Sequence, residues 1–533
     1  MASLINLSEY LQKYPNKHPE IIQQYGTAGF RNRAENLFYV TFRTGILATF
    51  RSRMVKGVVG VMVTASHNPE HDNGLKIIEP DGSMLIQSWE KLATEIANIP
   101  DDELEQYIRN LLQRFQINLD DKCQIHLAID TRASSPLLRQ ALIDGIKVAR
   151  GDYIDHGLLT TPQLHYIVRC VNDPESSYGL PTEDGYYSKL CKAFLELTKN
   201  SERTLNLVID CANGVGALKM QLLAPYLKNR ITFELKNIGD GILNYKCGAD
   251  YVKVHQTQPE SIDLEFNQHY CSFDGDADRL VYYYRNKQDN RFHLLDGDKI
   301  AVLMARFIVE ILKQSGLSDT EMVLVQTAYA NGNSTKYVRE KLEMKTDCVP
   351  TGVKHLHHRA KQSDIGIYFE ANGHGTIIFS DEIYKKISEC PNESNRKLLC
   401  LIDLINQTVG DAISDMLVVE AILENLNLTM DEWDSFYTDL PNKLLKVAVK
   451  DRSIITTTDA ERRCLSPANL QNAIDKAVKE VDPINGRSFI RPSGTEDIVR
   501  IYAEASTEEQ ANRLANLVGN LVYDHADGIG QRF

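Results

Sequence analysis

Short apolar strands that end in polar loops recur along this chain, and that pattern restricts it to folds in which helices pack in layers on sheets. Val58 to Val63 run into TASHNP. Ile125 to Asp130 run into TRASS ahead of the helical pattern PLLRQALIDGIKVAR, Leu205 to Asp210 enter CANGVGA, and MVLVQTAYANGN precedes STKYVREKLEM. A strand, a loop rich in Gly, Asp, Asn, Ser or Thr and then an amphipathic helix mark α/β domains. Two further segments, YCSF-DGDADR-LVYYY near residue 274 and IGIYF-EANGHG-TIIF near residue 370, predict a strand, a tight loop and a strand. A last unit, RSFI-RPSGTEDIVR-IYAEA, ends in the helical pattern TEEQANRLANLVGNLV.

The chain has 533 residues, too many for one core, and about 150 residues per domain gives roughly three or four domains. Polar stretches near 176–185, 289–298 and 426–435 are the candidate connections. The net charge of -13 argues against nucleic acid or an anionic membrane as partner, so an anionic substrate must be held by local groups. No signal-peptide core and no apolar run of membrane-spanning length stands out, which makes the cytosol the expected compartment. The 10 cysteines form no CxxC pair, as expected of reduced thiols rather than a zinc site.

The polar loops carry the chemistry. In DGDADR, Asp274, Asp276 and Asp278 alternate, so three carboxylates can converge on one hard cation such as Mg²⁺ or Ca²⁺. An EF-hand is excluded, because the required glycine position holds Arg279 and the twelfth position holds Arg285. RPSGTEDIVR places Arg491 and Arg500 around Ser493, Gly494 and Thr495, a set suited to a phosphate dianion, although PSGT alone is an ordinary turn. EANGHG offers Glu370, Asn372 and His374 to a polyhydroxylated ligand. TGVKHLHHR supplies Lys354 beside His355, His357 and His358 without a standard zinc spacing, and a helix start is the expected structure there. YGTAGFR sets Arg31 after two glycines. Ser66 in TASHNP, next to His67 and upstream of Lys76, is expected at the exposed end of its strand. It is either a turn residue bonded to the backbone or a carrier of phosphate facing the aspartates. The chain has no P-loop and no GxSxG elbow.

Taken together and in this order, TASHNP, DGDADR, EANGH and RPSGTE resemble the α-D-phosphohexomutase superfamily, over essentially the whole chain. Many members read GEMSGH in the sugar loop. Here Phe369 precedes Glu370 and Asn372 replaces the serine, and FEANGH is similar to the acetylglucosamine branch. The resemblance implies an α/β fold of four domains around a central cleft, three related α/β domains with mixed sheets and a smaller C-terminal α+β domain. They would be 1–178 with the phosphoserine loop, 179–291 with the metal loop, 292–430 with the sugar loop and 431–533 with the phosphate loop.

It also implies an isomerase that interconverts N-acetylglucosamine 6-phosphate and 1-phosphate, in UDP-N-acetylglucosamine biosynthesis. The route passes through a phosphoserine and a bisphosphorylated sugar. Ser66 would be the phosphoryl carrier, with Arg31, His67, Lys76 and Arg279 near the transferred group. One Mg²⁺ would be held by Asp274, Asp276, Asp278 and the Ser66 phosphate, and a sugar 1,6-bisphosphate would act as activator or intermediate. Substrate contacts would come from Thr351, Gly352, Lys354, Glu370, Asn372 and His374, and the distal phosphate would lie on Arg491, Ser493, Gly494, Thr495 and Arg500. Lys76, His67 and Lys354 are candidates for proton transfer, Lys76 first among them. The expected partner is a phosphosugar, and the expected state a monomer or weak homodimer. A phosphoglucomutase or phosphomannomutase of broader specificity and a Mg²⁺-dependent sugar phosphatase are the alternatives.

Overall fold

The structure is a computed structural model that describes residues 5–201, 204–493 and 496–533. Among them no helix is long and apolar enough to cross a membrane. The residues pack as two compact units, one of 1–297, 372–376 and 387–430 and the other of 298–371, 377–386 and 431–533.

The first unit begins with strands Phe30–Arg33 (β1), Val59–Val63 (β2), Asp72–Ile78 (β3), Gln124–Ile129 (β4) and Asp152–Leu158 (β5), in sheet order β1-β3-β2-β4-β5. β2 is parallel to β4, and β3 is antiparallel to β1 and β2. All five residues of β2 are buried, as in a strand covered on both faces. Val59, Val61 and Val63 join Leu75, Ile77, Ile125 and Leu127 in one core, each such side chain worth about 1.5–3 kcal/mol on burial. After TASHNP the chain returns as β3 instead of entering a helix. The two-residue period explains this: Leu75 and Ile77 face the core while Lys76 points away from it, toward the loops.

The second sheet contains Leu205–Asp210 (β6), Ile231–Lys236 (β7), His269–Phe273 (β8), Leu280–Arg285 (β9) and Phe292–Leu295 (β10), in the order β10-β9-β8-β6-β7. β6 is parallel to β7 and β8, while β8, β9 and β10 form an antiparallel meander. DNRFHLL, expected as a connection, therefore supplies a strand: Phe292 pairs with Arg285 and Leu295 with Tyr282.

The third sheet is built from Met322–Gln326 (β11), Lys345–Cys348 (β12), Ile365–Phe369 (β13) and Gly375–Phe379 (β14), in the order β12-β11-β13-β14, with β11 parallel to both β12 and β13. The C-terminal part contains Asn442–Val449 (β15), Thr456–Thr458 (β16), Arg463–Ser466 (β17), Arg487–Pro492 (β18), Ile498–Glu504 (β19) and Gly528–Ile529 (β20). Its antiparallel sheet runs β18-β19-β15-β20, and β16 and β17 form a separate hairpin. Helices Leu470–Val481 and Glu508–His525 pack on the sheet through Ile474, Leu514 and Val518 against Val447, Ile490 and Ile501. Three α/β sheets and one antiparallel α+β layer match the expected fold class.

Candidate active site

The loop after β2 is held in an unusual shape. Ser66 has φ of 51°, in the left-handed region, a placement that costs a non-glycine residue on the order of 1–3 kcal/mol unless its surroundings enforce it. They do so through Arg132 and Asn244. Arg132 Nη2 donates to the carbonyls of Ser66 and Asn68, both at 2.9 Å, and Nη1 donates to those of Pro69 at 2.6 Å and Asp72 at 3.0 Å. Asn244 Nδ2 donates to the same Ser66 and Asn68 carbonyls at 2.8 and 3.0 Å. Asp130 orients the guanidinium from 3.0 Å, and Thr64 Oγ1, which donates to Asp130, accepts from the Ser66 amide at 3.0 Å. Ser66 is fully buried, contrary to the expectation of an exposed strand end. The reason is that the second sheet's loops cover it.

The covering loop is DGDADR, between β8 and β9. Gly275 lies so close that a Cβ there would sit 2.7 Å from the Ser66 carbonyl oxygen. Ser66 Oγ donates to Asp274 Oδ2 at 2.6 Å and lies 3.2 Å from Asp278 Oδ1. Asp274 Oδ1 is tied to the amides of Asp278 and Arg279 at 3.0 and 3.2 Å. Asp276 Oδ2 accepts from Thr161 Oγ1 at 2.6 Å and from Lys76 Nζ at 3.0 Å, and the same ammonium reaches Asp278 Oδ2 at 2.8 Å. Oxygen atoms of the three buried aspartates lie within 4.8 Å of one another.

Arg279 Nε lies 3.8 Å from both Asp274 and Asp278, His374 Nδ1 lies 3.4 Å from Asp278, and His67 Nδ1 lies 3.5 Å from Ser66 Oγ. Arg31 Nη1 donates to Asn68 Oδ1 at 3.3 Å. The turn carrying His374 is pinned by Gly373, with φ of 88°, where a Cβ would collide with the Leu280 carbonyl oxygen at 1.9 Å. The Leu280 amide in turn donates to the Gly373 carbonyl.

The second unit holds other candidates. Arg491 and Arg500 sit directly opposite each other in the β18–β19 register. Arg491 Nε donates to Glu461 Oε1 at 2.9 Å, and Glu461 Oε2 accepts from the Thr351 amide at 2.9 Å and Thr351 Oγ1 at 2.5 Å. The Ser493 amide donates to the Ile498 carbonyl, closing the turn. Gly494 and Thr495 lie outside the described residues. Gly352, with φ of 128°, precedes helix Val353–Ala360, whose first turn carries Lys354. His357, in the same helix, is buried against the Tyr368 hydroxyl at 3.0 Å, a packing role. Glu370 follows β13; in the first unit, Asn372 Oδ1 accepts from the His374 amide.

Comparison with known proteins shows the family of the chain. The family models for domains II and III of phosphoacetylglucosamine mutase AMG1 match residues 177–281 and 296–428. Those for domain I and the C-terminal domain of phosphoglucomutase/phosphomannomutase match 27–103 and 444–520. The human phosphoacetylglucosamine mutase is 49% identical over 537 residues, covering 98% of each chain. The chain belongs to the phosphoacetylglucosamine mutase family. Two solved Aspergillus fumigatus N-acetylphosphoglucosamine mutases are each 44% identical. One, in complex with GlcNAc-6P and magnesium, superposes with a TM-score of 0.93 over 98% of this chain and 100% of that one. The other, in complex with glucose 1,6-bisphosphate, gives 0.92 over 98% of both.

The electrostatics of this phosphoacetylglucosamine mutase family site follow from burial. Desolvation, then the neighbouring Asp278 and Asp276 charges, pushes the Asp274 carboxyl well above the usual carboxylate range. Burial opposes ionisation of Asp278 as well, but Lys76 and His374 outweigh it and hold that carboxyl well below the range. Burial keeps His67 neutral, well below the ordinary imidazole value, and the Arg279 and Arg31 charges add to that. Lys76 is raised: burial works against its charge, and Asp276 and Asp278 overcome burial. The site thus sets the Lys76 ammonium and the Arg279 and Arg31 guanidinium groups against three aspartates, with Asp276 Oδ1 buried and without a protein partner. An orphaned carboxylate oxygen within an all-oxygen set fits a hard divalent cation.

Four contributing residues are not legible in the sequence motifs: Thr161, Arg132, Asn244 and Glu461. Arg132 lies in TRASS, where a charge directly after a strand is the available signal. Nothing in the letters around the other three marks them.

Proposed function

We propose that this chain interconverts N-acetylglucosamine 6-phosphate and N-acetylglucosamine 1-phosphate through a phosphorylated Ser66. The observation that carries the reading is the buried Ser66 hydroxyl, 2.6 Å from Asp274 and fixed on a clamped left-handed turn. It is a nucleophile held rigidly over an anionic, cation-ready pocket. Asp274, Asp276 and Asp278 would hold Mg²⁺, which when bound supplies positive charge to offset that of the serine phosphate.

In the forward half-reaction the free hydroxyl of the sugar phosphate attacks the phosphorus on Ser66. The new phosphorus–oxygen bond forms to the sugar, the bond to Ser66 Oγ breaks, and a sugar 1,6-bisphosphate results. The hydroxyl proton leaves to a base and a proton returns to Oγ. After the bisphosphate turns over, the reverse transfer from its other phosphate restores phosphoserine and leaves the isomeric monophosphate. His67, with Nδ1 3.5 Å from Ser66 Oγ, is the nearest candidate for that proton transfer. Asp276 and Asp278 hold the proton of Lys76 in place. Lys76, the first candidate for proton transfer, is therefore a charge holder between these two carboxylates. Arg279 balances charge beside the aspartates, and Arg31 braces the loop through Asn68.

Glu370, Asn372, His374, Gly352 and Lys354 remain the proposed sugar contacts. Arg491, Ser493, Gly494, Thr495 and Arg500, with Thr351, form the proposed cradle of the phosphate that is not being transferred. We retain four divisions along the chain as a proposal, with the second extended to include β10 because that strand pairs with β9. A cytosolic protein acting as a monomer or weak homodimer completes the reading.

Turnover of N-acetylglucosamine 6-phosphate and of glucose 6-phosphate, each primed with its bisphosphate, tests it. Faster conversion of the acetylated sugar with no inorganic phosphate released is expected. Stoichiometric phosphate release would identify a phosphatase, and equal turnover of both sugars a broader mutase.

A further inference from the structure

In the second unit the hairpin between β16 and β17 turns through Asp459, Ala460 and Glu461, three consecutive residues with φ of 52°, 53° and 69°. None is glycine, and each left-handed placement costs on the order of 1–2 kcal/mol. Part of the turn is closed locally, by the Arg462 amide on the Asp459 carbonyl at 3.1 Å and Arg462 Nη2 on Asp459 Oδ1 at 2.5 Å. The rest is fixed by what Glu461 grips. Its carboxylate takes three donors at once: Arg491 Nε, the Thr351 amide and Thr351 Oγ1, at 2.9, 2.9 and 2.5 Å. With the two side chains of the ion pair only 24% and 16% exposed, this is a partly desolvated, charge-assisted set.

A guanidinium N–H, a backbone amide and a hydroxyl converging on two oxygens of an anion also make a phosphate site. Arg491 is a proposed ligand of the distal phosphate and Thr351 a proposed substrate contact, so a role for Glu461 here rests on the proposed mutase function. These donors cannot serve the Glu461 carboxylate and a phosphate together. Arg491 and Arg500 face each other across β18 and β19. Without an anion their like charges repel, and Glu461 supplies the missing charge.

We propose that Glu461 is a resident placeholder for the substrate phosphate. Its carboxylate keeps the empty cradle assembled, and an arriving phosphate displaces it by exchanging one anion for another on the same donors. The strained turn lowers the cost of letting go. Competition of this kind scales phosphate affinity by the fraction of time the carboxylate is not seated. That suits a reaction whose bisphosphate must leave the cradle and return with its two ends exchanged, since a cradle without a competitor would hold the intermediate too long. Glu461 is thus a positioning residue that acts through Arg491 and Thr351.

The test is titration calorimetry of the full chain with inorganic phosphate, together with steady-state kinetics on N-acetylglucosamine 6-phosphate, for Glu461→Gln, Glu461→Gly and Arg491→Ala. Glycine adopts the left-handed turn without strain, so Glu461→Gly keeps the test valid if the glutamine variant folds poorly. The proposal expects tighter phosphate binding and a lower KM in both Glu461 variants, by about fivefold or more, with a lower kcat as release slows. Arg491→Ala should weaken phosphate binding. Unchanged or weaker binding in both Glu461 variants, with Arg491→Ala weakened, overturns the placeholder and leaves the cradle standing. Unchanged phosphate affinity in Arg491→Ala overturns the cradle and the placeholder with it.

Discussion

Ser66 Oγ donates a 2.6 Å hydrogen bond to Asp274 Oδ2 across 208 positions of the chain. The bond joins a turn after β2 of the first sheet to a turn after β8 of the second. Each turn is a strand-to-strand loop: Gly275 packs against the Ser66 carbonyl, and the Thr161 amide, at the start of a helix, donates to the Asp276 carbonyl. The two sheets thus bring a buried hydroxyl and three carboxylates together.

Loss of the nucleophile should abolish turnover. Ser66→Ala is expected to lower kcat for N-acetylglucosamine 6-phosphate by about 10³-fold or more, and the parent protein should carry phosphate on the Ser66 peptide. Mass spectrometry of the intact chain and its peptides, with a coupled steady-state assay, measures both. Full activity in the alanine variant would sink the phosphoserine mechanism.

The hydroxyl of Thr161 orients Asp276 from 2.6 Å and leaves Asp276 Oδ1 as the open oxygen. Thr161→Val preserves the shape and removes this bond. Groups that hold metal ligands from behind typically contribute about 10–100-fold in metal affinity, so the variant should need at least about tenfold more Mg²⁺ for half-maximal activity. A Mg²⁺ titration at saturating substrate reads the effect, and an unchanged midpoint would remove Thr161 from the metal set.

Arg132 binds four carbonyls of the serine loop, those of Ser66, Asn68, Pro69 and Asp72. Lysine keeps the charge but loses the planar fork. Arg132→Lys should drop kcat by up to about 10²-fold, the scale of a misplacement near 1 Å, with KM little changed. A larger change in KM than in kcat would mean that Arg132 serves binding instead of loop geometry.

Stability should carry a pH signature from Asp411, the buried cap of helix Ala412–Leu426. Burial raises this carboxyl to about 6 from the ordinary 3.8, against hydrogen bonds from Asn406, the Ser414 amide and Tyr186. A folded value above the unfolded one means that the folded state binds the proton more tightly. The resulting stabilisation is full below pH 3.8 and is lost as pH rises through about 6, up to about 3 kcal/mol for a shift near two units. The melting temperature of Asp411→Asn, which keeps the capping oxygen, should therefore gain on that of the parent between pH 4 and about 6 and then run parallel. A difference independent of pH would show that Asp411 ionises normally.

The sequence by itself determined the layers and the chemistry of the loops. Apolar runs such as VGVMV and LNLVID mark strands because burial on both faces demands continuous hydrophobicity. The alternating aspartates of DGDADR announce a cation site because only a positive charge relieves three carboxylates crowded together. What the letters left open depended on which strands lie side by side. Ser66 was expected at an exposed end and is buried, since cover comes from a loop about 200 residues away. DNRFHLL reads as a connection and is a strand, since its short apolar run acquires meaning only beside β9. Thr161, Arg132 and Asn244 carry little local signal, because their roles consist of reaching carbonyls and carboxylates brought near by sheet order. Glu461 is the clearest case. A glutamate in a charged hairpin turn reads as a solvated residue until tertiary structure sets Thr351, 110 positions before it, and Arg491, 30 after it, around its carboxylate. Local patterns record what each segment buries, and only the packed chain decides which distant charges share one place.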